Sequence, residues 1–307
     1  MNATRIASLL PSATEIAYAL GLGDLVVGVS HGCDYPCDAR TKAVLTRPRF
    51  PLDGLSSGEI DAAVRQALRE FGSVYEVDTE RLAAVGPDLL LTQGVCEVCA
   101  VPTRDAETAA AGLACCPTVL ALDAHDVTGV LGTIRLVGRA SGVPERADEC
   151  VREIERRIAF VRARLEDRPA PRVLALEWLE PPFVPGHWVP EMVALAGGNL
   201  LRGVAGRPSF AVEWADLAGL DPDVLLVMPC GFDLTAARAD ADRYRASLCA
   251  VAPRAIHSGR AYVVDATAHV SRPGPRVADG VELLAALLHP DIFPALSLEG
   301  RAHPVDD

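Results

Sequence analysis

A ten-residue segment occurs twice in this chain, and the repeat constrains the fold more than any other feature of the sequence. Residues 82–91 are LAAVGPDLLL and residues 217–226 are LAGLDPDVLL, and the two align without a gap. In both copies a Pro-Asp pair introduces a short apolar run, which is typical of a buried strand. A repeat of this length predicts two similar α/β lobes. We expect parallel-type sheets with flanking helices, whose strand ends open toward a ligand cleft between the lobes.

Other segments support the duplication and indicate where the lobes join. Residues 172–176, RVLAL, mirror an apolar run that begins at Arg5. Between the halves, residues 144–165 are highly charged and contain no internal glycine or proline. Their apolar residues fall at helical spacing, which predicts one long, rigid connecting helix. The predicted domains are an N-terminal α/β lobe at 1–142, a connecting helix at 143–168 and a C-terminal α/β lobe at 169–307.

Composition excludes several classes of partner. The net charge of −12 argues against nucleic acid or an anionic membrane surface as the main partner. No apolar run approaches the roughly 18 residues that span a bilayer, so membrane insertion is not expected. The N-terminal residues show no secretory signal pattern, which predicts a cytoplasmic protein. Nine cysteines in a chain of this length do not resemble a secreted disulfide framework.

Thiols and imidazoles are concentrated in loops that follow predicted strands. The loop at residues 92–99 contains Cys96 and Cys99, whose spacing lets two sulfurs chelate one ion. Thiolate and imidazole are ligands that a borderline metal such as zinc prefers. The predicted metal ligands are His31, Cys33, Cys96, Cys99 and His187. A redox pair at the same two cysteines is an alternative, and the Cys115-Cys116 pair is expected to be buried packing.

Aromatic residues in the same predicted loops suit a flat ligand. Phe183 and Trp188 lie in a proline-rich loop, where aromatic rings offer stacking surfaces. The alternative is that both belong to the core. The residues predicted to contact a bound cofactor or cargo are Tyr35, Phe183, Trp188, Phe232 and His269. No catalytic constellation is visible, because the chain lacks a G-x-S-x-G elbow and glycine-rich phosphate fingerprints.

Several short motifs together resemble one protein family. They are SLLPSATE at residues 8–15, GVS at 28–30, DYP at 34–36, the strand opening at Pro87, PF at 182–183 and GGN at 197–199. The chain resembles the cobalamin-binding substrate-binding proteins of ABC importers, within the broader group that binds cobalamin, haem and ferric siderophores. The resemblance covers essentially the whole chain. It implies two α/β lobes bridged by one long helix, a shallow cleft and little hinge motion.

The chain departs from this family at positions that concern partners and cargo. The resemblance implies permease docking through one glutamate on each lobe, and Glu80 matches the first. The repeat places Ala215 at the second position, with Glu213 and Asp216 beside it. This substitution and the missing signal point away from permease docking. The additional cysteines and histidines point to a cargo that the protein ligates directly.

Three functions therefore remain open at this point. The first is a cytoplasmic protein that binds cobalamin, another corrinoid or a related metal chelate. The second is a protein that binds a divalent transition metal ion such as zinc, nickel or cobalt. The third is a thiolate- or metal-dependent enzyme in which Glu177 or Glu97 acts as a general base. The sequence offers no substrate for the enzyme, so binding is favoured over catalysis.

Overall fold

The computed structural model describes residues 3–51, 54–95, 98, 100–294 and 298–305. Its strands are β1 (Ile6–Ser8), β2 (Val26–Val29), β3 (Ala43–Val44), β4 (Thr46–Pro48), β5 (Tyr75–Val77), β6 (Leu89–Thr92), β7 (Thr118–Ala121), β8 (Arg172–Leu176), β9 (Trp178–Leu179), β10 (Pro182–Val184), β11 (Asn199–Leu200), β12 (Phe210–Ala211), β13 (Val224–Val227), β14 (Ala261–Val264) and β15 (Ala302–Pro304). Its α-helices are α1 (Pro11–Ala19), α2 (Ser57–Phe71), α3 (Thr79–Val85), α4 (Thr103–Ala111), α5 (Val127–Ala140), α6 (Pro144–Leu165), α7 (Val189–Leu195), α8 (Trp214–Leu217), α9 (Leu234–Arg243), α10 (Arg245–Val251), α11 (Pro253–His257), α12 (Ala266–His269) and α13 (Val277–Leu288).

The chain divides into two compact units that interleave in sequence. The first unit comprises Met1–Asp53, Ala62–Ala124 and Thr128–Glu153. The second unit comprises Gly54–Asp61, His125–Val127 and Ile154–Asp307. Two short segments from the first half of the sequence therefore belong to the second unit.

Each unit is built on a five-stranded sheet of the same design. The order in the first unit is β3-β2-β1-β6-β7, and every pair of neighbours is parallel. The order in the second unit is β11-β8-β13-β14-β15, and only β15 runs antiparallel to its neighbour. Fully buried leucines and valines on the central strands form the core of each unit. Strands buried on both faces read as continuous apolar runs, which is the pattern in both copies of the repeat.

The repeat predicted from the sequence is also visible in the backbone. Helix α3 precedes β6 in the first unit, and α8 precedes β13 at the equivalent place in the second unit. Between helix and strand, Gly86 has φ +51° and its counterpart Asp221 has φ +45°. A left-handed residue at this point turns the chain from the helix into the strand. Aspartate is one of the few side chains that tolerates this conformation, so the repeat survives the loss of glycine.

An arginine holds the first strand of each sheet to this same turn. In the first unit, Arg5 Nε donates to the carbonyl oxygens of Val85 and Gly86, each at 3.0 Å. In the second unit, Arg172 donates to the equivalent carbonyls of Leu220 at 2.7 Å and Asp221 at 3.4 Å. The strand entry is therefore duplicated at the level of individual hydrogen bonds.

The long helix predicted between the halves is present as α6 (Pro144–Leu165), which covers the highly charged stretch that carries the helical pattern. In the part of the chain that the structure describes, no helix combines the length and the apolar character needed to cross a bilayer.

Candidate functional site

The carboxyl ends of three neighbouring strands converge on one edge of the second unit. The chain leaves β8 toward the neighbouring strand β11 on one side, while β13 and β14 lie on the other side. The crossover direction thus changes between β8 and β13. In open α/β sheets, ligands bind beyond the strand ends at such a switch point.

Two aromatic rings meet at this switch point. Trp178 follows β8 after one residue, and Phe232 lies in the loop after β13. Their ring centroids are 5.2 Å apart, and the planes are tilted by 56°, which is a favourable geometry for an aromatic pair. Both side chains are half-buried, so they are packed on the unit and still present surface. The pair can offer apolar contact to a flat or apolar ligand.

The indole of Trp178 is held in place by a segment that comes from the first half of the sequence. Trp178 Nε1 donates to the carbonyl oxygen of Ser57 at 3.1 Å. Ser57 is the first residue of α2, and its backbone N–H donates to Asp240 Oδ1 at 3.1 Å. Asp240 is only 2% exposed. This chain of contacts fixes the orientation of the tryptophan from outside the strand that carries it.

A small antiparallel sheet supports the loop that follows. Strands β9, β10 and β12 pair so that Phe183 lies opposite Trp178 and Ala211. Ser209 Oγ donates to Glu177 Oε2 at 2.5 Å and accepts from the backbone N–H of Gly186 at 3.1 Å. Glu177 is therefore engaged in positioning the loop.

Two histidines lie close together beside this sheet. The rings of His125 and His187 have centroids 6.0 Å apart. His187 Nε2 is buried without a hydrogen-bond partner, and the residue adopts φ +50°. Burial lowers the pKa of His187, and the proximity of His125 lowers it further. The neutral imidazole that results is the form that ligates a metal.

The remaining predicted residues of the second unit are more deeply packed. Trp188 is 8% exposed and donates its indole N–H to the carbonyl of Val270 at 2.8 Å. This burial favours the alternative interpretation, in which the ring belongs to the core, directly before α7. His269 ends α12, and its Nδ1 atom is buried without a partner. Burial lowers the pKa of His269 to about 4, with Arg301 and Arg276 acting in the same direction.

In the first unit, Cys33 belongs to a buried polar network. Its sulfur lies 3.0 Å from Thr14 Oγ1 and 3.3 Å from Ser30 Oγ, and the residue is 5% exposed. Thr14 in turn donates to Ser8 Oγ at 2.9 Å. The SLLPSATE motif thus builds this network, and the thiol of Cys33 serves packing in this conformation.

His31 and Tyr35 are accessible on the first unit. His31 Nδ1 lies 2.8 Å from Thr46 Oγ1, and the ring centroids of His31 and Tyr75 are 5.1 Å apart. Tyr35 is 50% exposed. Both residues are therefore exposed to solvent.

The predicted metal site cannot be assembled from the described residues. Cys96 and Cys99 lie outside them, as does Glu97. Among the residues that are described, no group of three or more His, Cys, Asp or Glu side chains is placed to hold a metal ion. The Cys115-Cys116 pair was expected to be buried, and this is wrong, because both residues are exposed in the loop before β7.

Sequence reasoning did not select the residues that position the aromatic pair. Ser57 binds Trp178 across 121 residues of sequence. Asp240 binds Ser57 across 183 residues. No local pattern marks such contacts. One residue separates Trp178 from β8, the strand that mirrors the opening strand of the chain. This position after a predicted strand is the sequence feature that points to Trp178 as a site residue.

Comparison with known proteins defines the class. A family model described as "Periplasmic binding protein" matches residues 6–245, and the chain belongs to this family. The family resemblance drawn from the sequence motifs and the two-lobed α/β fold class are thereby confirmed.

Individual relatives cover almost the whole chain. A Bacillus subtilis (strain 168) protein called "Uncharacterized ABC transporter substrate-binding lipoprotein YvrC" is 26% identical over 300 residues, which is 94% of this chain and 81% of the relative. The vitamin B12-binding protein of Vibrio cholerae serotype O1 (strain M66-2) is 24% identical over 290 residues, covering 93% and 89%.

Two solved structures share the fold at 22% sequence identity. The periplasmic vitamin B12 binding protein BtuF of Vibrio cholerae matches with a TM-score of 0.68, covering 96% of this chain and 99% of that one. A periplasmic heme binding protein from Pseudomonas aeruginosa matches with a TM-score of 0.69, covering 99% and 95%.

Proposed function

We propose that this protein is a substrate-binding protein whose cargo is a corrinoid or a related tetrapyrrole metal chelate. The observation that carries the proposal is the Trp178–Phe232 pair at the switch point of the second unit. A corrin or porphyrin ring is flat, largely apolar and large enough to cover both aromatic side chains. Relatives of this chain include a vitamin B12-binding protein, and a heme binding protein shares its fold, which supports the same ligand class.

The chemistry of the site is that of binding, because its charged groups are committed to structure. Glu177 accepts a hydrogen bond from Ser209, and Asp240 accepts one from the N-terminus of α2. Recognition at Trp178 and Phe232 would then depend on apolar stacking. On the first unit, Tyr35 and His31 are exposed polar groups. His187 is the imidazole best prepared to approach a metal centre, since it is neutral and its Nε2 has no partner.

A titration with three metal chelates tests the proposal. Cyanocobalamin, haemin and a ferric siderophore are each titrated by calorimetry into the wild-type protein and into Trp178→Ala. We expect one of the tetrapyrroles to bind, and Trp178→Ala to weaken it about tenfold, which corresponds to about 1.4 kcal/mol of lost stacking and burial. Trp214→Ala is the matched control, because Trp214 lies on α8 and packs against the core of the same unit.

The outcomes separate the site from the function. If a tetrapyrrole binds equally well to Trp178→Ala, the cargo class stands and the site is elsewhere. If none of the chelates binds the wild type, the proposed function is refuted. Zinc chloride forms a fourth arm, which the His125–His187 pair justifies. Stoichiometric zinc without chelate binding would favour the metal-ion alternative.

We further propose that docking on an ABC permease lacks its second acidic contact. Glu80 is exposed in the first turn of α3, whereas Ala215 occupies the equivalent position in α8. The neighbouring acids are used in a capping box: Glu213 accepts from the backbone of Asp216, and Asp216 accepts from that of Glu213. The cytoplasmic location stays a prediction, which fractionation of expressing cells tests.

A further inference from the structure

A cavity lies at the amino ends of the strands in the sheet of the second unit, on the edge opposite to the Trp178–Phe232 pair. It has a volume of about 600 Å³ and adjoins the amino ends of three strands. Pro171 precedes β8, Asp223 precedes β13, and Arg260 precedes β14, and all three line the cavity. The Trp178–Phe232 pair lies beyond the carboxyl ends of the same strands. The cavity is therefore separate from the site proposed for the cargo.

The guanidinium of Arg260 has a donor without an acceptor inside this cavity wall. Arg260 Nη2 donates to the carbonyl oxygen of Leu288 at 2.7 Å, which fixes the side chain. Arg260 Nε is buried and has no hydrogen-bond partner. Buried donors are almost always paired, because leaving one unpaired costs its full desolvation free energy. The same guanidinium group lines the cavity, so its positive charge is available to an anion held there.

A second cation lies at the mouth of the cavity. Arg168 is exposed and lines the cavity together with Arg260. Both arginines act on His289, which also lines the cavity and is 7% exposed. Burial lowers the pKa of His289, and Arg260 and Arg168 lower it further, although the hydrogen bond to Gly197 and the charge of Asp291 act in the opposite direction. Two positively charged side chains therefore line the same open cavity.

Asp223, one of the acidic side chains of this wall, is already engaged in hydrogen bonds. Asp223 Oδ1 accepts from Arg254 Nη1 at 2.6 Å, and its Oδ2 accepts from the backbone N–H of Arg172 at 2.7 Å. Asp291 is the other acid in the lining, and it is exposed to solvent. Neither carboxylate occupies Arg260 Nε.

We propose that this cavity binds a small oxyanion, a phosphate or carboxylate group, through Arg260, with Arg168 as a second contact. Planar guanidinium groups match the geometry of these anions and form charge-assisted hydrogen bonds with them. Tyr262 and Pro171 add an apolar wall, so the anion can be the charged end of a larger molecule. The site does not depend on the cargo proposal, because it uses the opposite edge of the sheet.

Calorimetric titration with inorganic phosphate and with citrate, at constant ionic strength set with sodium chloride, tests the site. We expect one of the two anions to bind the wild-type protein and to raise its unfolding temperature. Arg260→Gln should weaken binding at least about tenfold, a change of about 1.4 kcal/mol in binding free energy. Arg168→Gln should weaken it only a few-fold, since its guanidinium is exposed. Arg238→Gln, on the exposed face of α9, is the control and should bind like the wild type.

One further variant and one comparison of ligands keep the result decisive. Arg260→Gln removes the bond to Leu288, so Arg260→Lys, which keeps the charge and lacks Nε, is measured beside it and should also bind more weakly. Binding of only phosphate, or of only citrate, would show which kind of oxyanion the cavity holds. If neither binds the wild type, or if Arg260→Gln and Arg260→Lys bind like the wild type, the proposal is refuted. Tetrapyrrole affinity should be unchanged in all these variants.

Discussion

Replacing Gly186 by alanine should destabilise the second unit through a clash with backbone atoms. A methyl carbon built at Gly186 would lie 2.5 Å from Pro208 C, and it would meet Ser209 N and Arg207 O more closely still. Rotation of a side chain cannot relieve these contacts, because all three partners are main-chain atoms. The segment 207–209 must therefore move away from residue 186.

The size of the effect follows from what that segment holds. Overpacking of a well-packed site costs roughly 1–3 kcal/mol. Moving the segment also strains the bonds from Gly186 N to Ser209 Oγ and from Ser209 Oγ to Glu177, each worth about 1 kcal/mol. We expect Gly186→Ala to lower the free energy of unfolding by about 3 kcal/mol.

Urea unfolding followed by tryptophan fluorescence measures this unit selectively. The chain has three tryptophans, and Trp178, Trp188 and Trp214 all lie in the second unit. Gly219→Ala is the matched control, because a methyl there meets nothing within 4 Å and only the φ of +78° opposes it. The control should cost about 1–2 kcal/mol. If Gly186→Ala were no more destabilising than Gly219→Ala, the steric argument would be refuted.

Two further predictions concern charged and titratable groups of the second unit. The pKa of His269 is lowered from 6.5 to about 4, so its neutral ring contributes stability that is complete above pH 6.5 and is lost as the pH falls toward 4. The loss reaches at most about 3 kcal/mol. Between pH 6.5 and 4, the urea midpoint of His269→Gln should therefore fall less steeply than that of the wild type. If the two midpoints fell in parallel with pH, the lowered pKa of His269 would be contradicted. Arg157 in α6 bonds to Glu282 at 2.8 Å and to Asp279 at 2.5 Å in α13. Arg157→Met should lower the free energy of unfolding by about 1–2 kcal/mol. The control, Arg162→Met on the exposed side of the same helix, should have almost no effect. Equal effects would show that the ion pairs of Arg157 do not stabilise the protein.

The elements that sequence reasoning predicted well are those with a periodic or repeated pattern. Helix α6 has an uninterrupted apolar stripe and no internal breaker, so its bounds were predictable. The two lobes were predicted from the sequence repeat. The structure repeats the same left-handed turn and arginine contacts around Gly86 and Asp221. Such features can be recognised from residues that are close in sequence, or by comparing one half of the sequence with the other.

The candidate site was predicted less completely because burial depends on distant parts of the chain. Trp188 and Cys33 have the residue types of a binding site, yet both are enclosed by partners that only the fold supplies. The opposite error occurred at Cys115 and Cys116, where thiols expected in the core are exposed. Residue type predicts the chemistry available, and tertiary packing decides whether a ligand can reach it.

The contacts that Ser57 makes with Trp178 and Asp240 have a consequence for biosynthesis. Ser57 binds Trp178, 121 residues later, and Asp240, 183 residues later. At a translation rate of about 5–20 residues per second, residues 54–61 wait on the order of 10 s for their partners to be synthesised. A fragment that starts at residue 154 would leave the indole N–H of Trp178 and the carboxylate of Asp240 without these contacts. The C-terminal half therefore needs a peptide from the N-terminal half to complete its own fold, and it should be expressed together with that peptide.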